Sequence, residues 1–153
     1  MTSSQQAMHP ASPDATAPTI TGGCLCGSVR YAVSGPLRDI IACHCVQCRR
    51  SSGHFVAATA CRRQYFSLLC QDGLQWFSAV PGFRRGFCQV CGSSLFFEEV
   101  GQERISIAAG SLDAPQGLRM AAHIYTAEAG DYYTLEPDVP ASADGRHQVL
   151  LPD

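Results

Sequence analysis

The sequence predicts an all-β domain of short antiparallel strands held together by metal. Three observations lead there. Apolar and polar residues alternate over brief runs, Gly and Pro pairs separate those runs, and no window carries a long helical period. Seven of the nine cysteines also fall into three tight clusters: Cys24 and Cys26, then Cys43, Cys45 and Cys48, then Cys88 and Cys91.

In chain order, the first stretch, Met1 to Pro18, is rich in Ser, Pro, Ala and Gln. It has too little apolar surface to offset the entropy of ordering, so residues 1–19 are expected to be a disordered tail and a folded domain to span 20–135. Strands are expected over Val29–Val33, Arg38–Ala42, Phe55–Ala60, Tyr65–Leu69, Leu74–Val80, Ser94–Phe97, Arg104–Ala108 and Ala122–Thr126. Turns fall at Gly35-Pro36, Asp72-Gly73, Pro81-Gly82 and Gly101. Arg62–Phe66 and Asp113–Gly117 each have room for one helical turn. From Asp138 the chain is polar and rich in Pro, and residues 136–153 are expected to be loosely held.

A length of 153 residues suits one domain. No apolar run approaches the ~20 residues of a membrane span. Met1–Ile20 lacks the basic start and apolar centre of a signal peptide, so a cytoplasmic setting is expected. Thiols stay reduced there, and an odd number of cysteines pairs incompletely. C-x-C and C-x-x-C spacings then read as metal ligands rather than disulfides.

Charge is unevenly distributed. Every cation is Arg. Cys24 to Cys91 holds eight Arg against two acids, whereas Gly92 to Asp153 holds three against ten. Two zinc–thiolate centres would lower the positive charge of the first half to roughly +3, which suits a small anionic molecule. Mutual neutralisation of the two halves within the fold is the competing reading. No basic stripe or basic helix marks a nucleic-acid surface, and neither nucleic acid nor membrane is expected as a partner.

The outer cysteines are read as one closed site. Residues i and i+2 of a strand point the same way but lie about 6.6 Å apart. Tetrahedral zinc, with bonds of about 2.3 Å, needs sulfurs about 3.8 Å apart. Cys24 and Cys26 therefore require a bend, which Gly22, Gly23 and Gly27 permit. Cys88-Gln89-Val90-Cys91-Gly92 is a turn whose thiols converge. Four thiolates make a structural zinc site, and the other reading is buried, metal-free cysteine.

Cys43, Cys45 and Cys48 supply only three thiols. Cys61, Cys70, His44, His54 and His123 are candidates for a fourth ligand. Cys61 and Cys70 read as core residues, and His44 is expected to point away from its flanking thiols. If no protein group completes the set, water or a substrate thiol can. Zinc bound this way favours the thiolate form of an incoming thiol. Without metal, the same thiols suit redox chemistry. Arg49 and Arg50 follow directly, and Arg84 and Arg85 precede the Cys88 turn. An Arg fork matches a carboxylate, so all four are candidate substrate contacts. His54 and His123 are either acid–base groups or core histidines.

These motifs resemble a known family. Gly23-Cys24-Leu25-Cys26-Gly27-Ser28-Val29-Arg30-Tyr31 is the first, and Cys43-His44-Cys45-Val46-Gln47-Cys48-Arg49-Arg50 with Gly53 the second. Gly86-Phe87-Cys88-Gln89-Val90-Cys91-Gly92-Ser93-Ser94-Leu95 is the third. In this order they resemble the glutathione-dependent formaldehyde-activating enzymes, a family that includes centromere protein V. Ala109–Asp113 and His123-Ile124-Tyr125 are similar too, and the likeness runs from about Gly22 to Tyr133. It implies a β-tent fold with two zinc ions. Cys24, Cys26, Cys88 and Cys91 would hold a structural zinc, and Cys43, Cys45 and Cys48 a labile catalytic one. The implied activity is a carbon–sulfur lyase joining glutathione and formaldehyde into S-(hydroxymethyl)glutathione, in either direction. The thiol and the aldehyde do not come with the fold. The alternative is a non-catalytic zinc module that binds partners.

Overall fold

A computed structural model describes residues 18–153, and residues 1–17 of the expected tail lie outside them. Among the described residues ten strands form two sheets. They are β1 (Ile20–Gly23), β2 (Arg30–Val33), β3 (Ile40–Cys43), β4 (Val56–Arg62), β5 (Phe66–Cys70), β6 (Leu74–Val80), β7 (Phe83–Cys88), β8 (Ser94–Glu99), β9 (Arg104–Ala108) and β10 (Met120–Ile124). The smaller sheet has the order β1-β2-β5, and the larger β10-β3-β4-β9-β8-β7-β6. The expected all-β class is what the chain adopts.

Three features depart from the sequence reading. The first is a short helix, α1, at Val46–Ser52. Its Cys45 N-cap accepts the Cys48 N–H at Sγ, 3.4 Å away, and Gly53 ends it at φ 79° with its N–H on the Arg49 carbonyl. At seven residues, with cysteine as the cap, it shows neither an apolar period nor a usual cap residue. The second is the parallel pairing of β10 with β3 in an otherwise antiparallel arrangement. All of β4 to β9 lies between them in sequence, long enough for the crossover that parallel neighbours need. The third is two strands that the sequence did not announce. β1 contains Gly22 and Gly23, and β7 contains Arg84-Arg85-Gly86, both poor strand signals. The expected turn near Arg62–Phe66 is a single 3-10 turn at Arg63–Tyr65, whereas residues 113–117 form no helix.

The core lies where the inner faces of the two sheets meet. β2 alternates, sending Tyr31 and Val33 inward, and β9 likewise sends Ile105 and Ile107. Tyr31, Phe66 and Phe96 make an aromatic triangle with centroids 5.2–5.6 Å apart, joining both sheets. Tyr31 is fully buried, and its hydroxyl donates to Ser111 Oγ at 2.7 Å, because Ser111 in turn donates to the Ala108 carbonyl. Burial pushes the Tyr31 phenol up to about 12.

The 109–113 segment clips onto β1 and β2. Leu112 bridges Gly22, and Asp113 accepts from Thr21 Oγ1 at 2.6 Å and from both terminal nitrogens of Arg30. The Arg30 guanidinium, together with Thr21, holds the Asp113 carboxyl down near 2. Further along, the chain beyond residue 136 runs beside β10: the His123 N–H donates to the Pro140 carbonyl, Ser142 N–H to His123, and Tyr125 N–H to Asp144.

Two expectations follow. Tyr31→Ala should cost about 3–5 kcal/mol by leaving a cavity, and Tyr31→Phe about 1 kcal/mol by leaving Ser111 without its donor; denaturant unfolding measures both. Because the Asp113 carboxyl lies below its ordinary value of 3.8, its contribution is complete above about pH 4 and fades as pH falls toward 2. Asp113→Asn should flatten acid unfolding in that window. A variant as acid-sensitive as the parent would show that the Arg30 pairing adds nothing.

Candidate functional site

The outer cysteines come from two tight turns. Cys24 and Cys26 occupy the β1–β2 turn, closed by Gly27 at φ 83°. Cys88 ends β7, and Cys91 sits in the β7–β8 turn, closed by Gly92 at φ 78° with its N–H on the Cys88 carbonyl. The four sulfurs lie within 4.8 Å of one another, with Cys24 to Cys26 at 3.6 Å and Cys26 to Cys88 at 3.7 Å. Those two spacings match the about 3.8 Å edge of a zinc tetrahedron. The Val29 N–H donates to Cys24 Sγ at 3.2 Å, as a backbone amide does to a thiolate. A Cβ on Gly73 would lie 2.9 Å from Cys88 Sγ, so that position has no room for a side chain. Donor set, spacing and amide contact all fit a bound metal ion.

The second cluster is built by the β3–α1 corner. Cys43 ends β3, Cys45 caps α1, and Cys48 sits one turn in, where the helix brings it back toward its cap. The three sulfurs also lie within 4.8 Å of each other, and three thiols at this separation fit a metal ion. Hydrogen bonding from Cys43 and the nearby Arg85 charge hold the Cys48 thiol down to about 6, against the opposing effect of burial. The Cys43 thiol is pushed upward by its hydrogen bond with Cys48 and by burial.

Among the described residues no fourth His, Cys, Asp or Glu joins this group. Each sequence candidate is accounted for elsewhere. Cys61 is fully buried in the core, and the Cys70 thiol donates to the Ser28 carbonyl at 3.3 Å. His54 packs its ring on Phe55 and Tyr133. His44 and His123, both buried, lie in a chain running from the half-buried Tyr133 to the exposed Glu136. His44 Nδ1 lies 2.5 Å from the Tyr133 hydroxyl, His44 Nε2 2.9 Å from His123 Nδ1, and His123 Nε2 2.7 Å from Glu136 Oε2. A carboxylate accepts at one end, and two neutral rings then give one donor order. His123 donates to Glu136, His44 to His123, and Tyr133 to His44. Burial lowers the His44 pKa, in keeping with a neutral ring. All four ring nitrogens are thus engaged, and the chain braces the corner between Cys43 and Cys45. The same corner is gripped again by Glu128, whose Oε2 accepts the Val46 N–H at 2.7 Å.

The four candidate arginines separate. β7 alternates, so Arg84 and Arg85 face opposite ways. Arg84 lies over Trp76 at 4.1 Å and pairs with Glu98, a buried carboxylate that Arg63 also approaches at 3.6 Å. Arg85 lies over Phe97 at 5.0 Å and reaches Cys48 Sγ at 3.7 Å and Gln47 Oε1 at 3.4 Å. Arg50 is exposed on α1. Arg49 Nε is the one buried side-chain nitrogen or oxygen among the described residues without a hydrogen-bond partner. Beside Arg85 opens a cavity of about 250 Å³, reaching Ser51 of α1 and Val56, the cross-strand partner of Cys43. Sequence reading missed this cavity, Tyr133 and Glu136. The alternation of β4, β8 and β9 was visible, but not which outer face α1 would cover.

No helix among the described residues is long and apolar enough to cross a membrane. Comparison with known proteins bears on the fold and the family. A crystal structure of a Rhodobacter sphaeroides protein superposes with a TM-score of 0.52 at 20% identity, covering 80% of this chain and 99% of that one. That likeness speaks for the fold alone. Among curated proteins no sequence matches. The profile of the glutathione-dependent formaldehyde-activating enzymes matches residues 19–128, which hold all seven clustered cysteines. By that match over most of its length, the chain belongs to the glutathione-dependent formaldehyde-activating enzyme family.

Proposed function

We propose that the chain is a zinc-dependent carbon–sulfur lyase for adducts of glutathione, or a similar small thiol, with formaldehyde or another aldehyde. The observation that carries this reading is the three-thiol cluster without a fourth protein donor, with Arg85 resting against it. The outer four cysteines hold a structural zinc, and Cys43, Cys45 and Cys48 hold the second. Zinc at the second site, when bound, favours the thiolate form of a thiol that completes its coordination.

The remaining work falls to side chains. Arg85 and Arg49 take up the carboxylates of the incoming thiol. Arg85 stands at the cluster, and Arg49, half-buried on α1 next to Cys48, adds a second guanidinium. Arg50 adds positive charge at the entrance. Arg84 is committed to Glu98 and supports the strand. The thiol sulfur bonds to the aldehyde carbon, the carbonyl π bond opens, and the proton lost by sulfur ends on oxygen. Reversal releases aldehyde and thiol, and no further reactant is needed. A reducing cytoplasm keeps the seven cluster thiols available for metal.

Metal analysis should give two zinc ions per chain, with the one at Cys43, Cys45 and Cys48 leaving first on chelator titration, and cobalt in its place should change spectrum when glutathione is added. Cys48→Ser should abolish turnover above the uncatalysed background yet leave cooperative unfolding and one zinc ion, whereas Cys88→Ser should fail to fold. Loss of folding in Cys48→Ser would make the second cluster structural. Arg85→Ala should raise KM for the thiol roughly tenfold or more. Arg84→Ala should instead cost about 1–3 kcal/mol of stability with KM little changed, as Arg63 remains near Glu98. Equal KM effects from both would refute this division between the two arginines.

A further inference from the structure

The cavity beside Arg85 is far larger than a one-carbon aldehyde needs. Its floor is the outer face of the large sheet. Cross-strand partners share a face, and the register places Val56, Ala58 and Ala108 on one side, continuous with Ser106, Phe97 and Arg85. Cys43 is the direct partner of Val56, so this is the face on which the second cluster stands. Ser51 of α1 adds one wall, and Phe77 of β6, 58% exposed, stands on the rim.

The chemistry of this lining is lopsided. Apart from Arg85 and three serine hydroxyls, the side chains that line it are apolar. Arg85 also leans on Phe97, its charged end directed to the Cys48 sulfur. Arg85 is thus shared between the cavity lining and the thiol cluster, and most of the rest of the lining is apolar. Cavities of about 150 Å³ take up benzene when their walls are apolar, and this one is about 250 Å³. A carbon atom bonded to sulfur at the cluster would lie on the same face of the sheet as this floor, which Cys43 shares with Val56.

We propose that this cavity holds an apolar substituent of about six carbons on the aldehyde carbon, so that the favoured substrates are adducts of glutathione with medium-chain aldehydes rather than with formaldehyde. The inference rests on the thiol–aldehyde reading above and names its substrate class. The chemical step does not change. One C–S bond forms, the carbonyl π bond opens, and the thiol proton passes to oxygen.

The test is calorimetric binding of two stable thioethers, S-hexylglutathione and S-methylglutathione, to the zinc-loaded full chain. S-hexylglutathione should bind at least tenfold more tightly, as expected for several buried methylenes. Ser106→Phe, and separately Ala58→Phe, should fill the cavity and bring the affinity ratio to within about twofold. Both positions are half-buried, and two variants guard against one failing to fold. Equal affinity of the two thioethers for the parent chain would overturn the proposal while leaving the glutathione reading intact. A tenfold preference that survives both substitutions would overturn it too, by placing the hexyl chain elsewhere. Binding of neither thioether would remove the glutathione reading, and this inference with it.

Discussion

The fold depends on the convergence of two turns that lie far apart in the chain. Cys26 and Cys88 are 62 residues apart, yet their sulfurs are 3.7 Å from each other. The sheet carrying Cys24 and Cys26 has three strands of four or five residues, too little to persist by itself. Closing a loop of this size is entropically unfavourable, and each further doubling adds only about 0.6 kcal/mol. Zinc binding to thiol sets of this type contributes on the order of 10 kcal/mol, as much as the whole net stability of a typical domain. The aromatic triangle of Tyr31, Phe66 and Phe96 then packs between sheets that the turns have already brought together.

The two faces of the large sheet have different surroundings. The inner face carries Trp76, Phe96, Glu98, Ile105 and Ile107. The outer carries Phe77, Arg85, Phe97, Ser106 and Val56, with the thiol cluster at one side. Two adjacent arginines therefore have unrelated surroundings. Arg84 satisfies a buried carboxylate, and Arg85 lies against Phe97 and the Cys48 thiol. Strand period alone makes this separation. The helix α1 belongs to the outer side, and its cap residue is itself one of the cluster thiols.

Much of this was legible in the amino-acid order. The all-β class followed from alternation and turn residues, and β6 and β9 have the expected bounds. The pairing of Cys24 and Cys26 with Cys88 and Cys91 followed from spacing and flanking glycines. What escaped was set by distant contacts. α1 owes its start to a cysteine cap and to Glu128, 82 residues away from Val46. β1 and β7 are strands because their neighbours pair with them, despite glycines that favour neither. The fate of His44 and His123 was undecidable locally, since Tyr133 and Glu136 supply the partners that occupy their rings. The parallel β10–β3 contact likewise leaves no mark on either segment.

The residues that brace the second cluster all come late. Glu128 holds the first turn of α1, Tyr133 and Glu136 terminate the histidine chain, and β10 flanks β3. A ribosome releases the chain from its N-terminus, so Cys43, Cys45 and Cys48 emerge some eighty residues before their support exists. The outer four cysteines are complete once Cys91 has emerged, while the three-thiol corner still lacks its clamp. Synthesis itself thus sets an order of assembly. The four outer thiols can meet on a nascent chain, whereas the three-thiol corner gains its clamp only when the last strand docks.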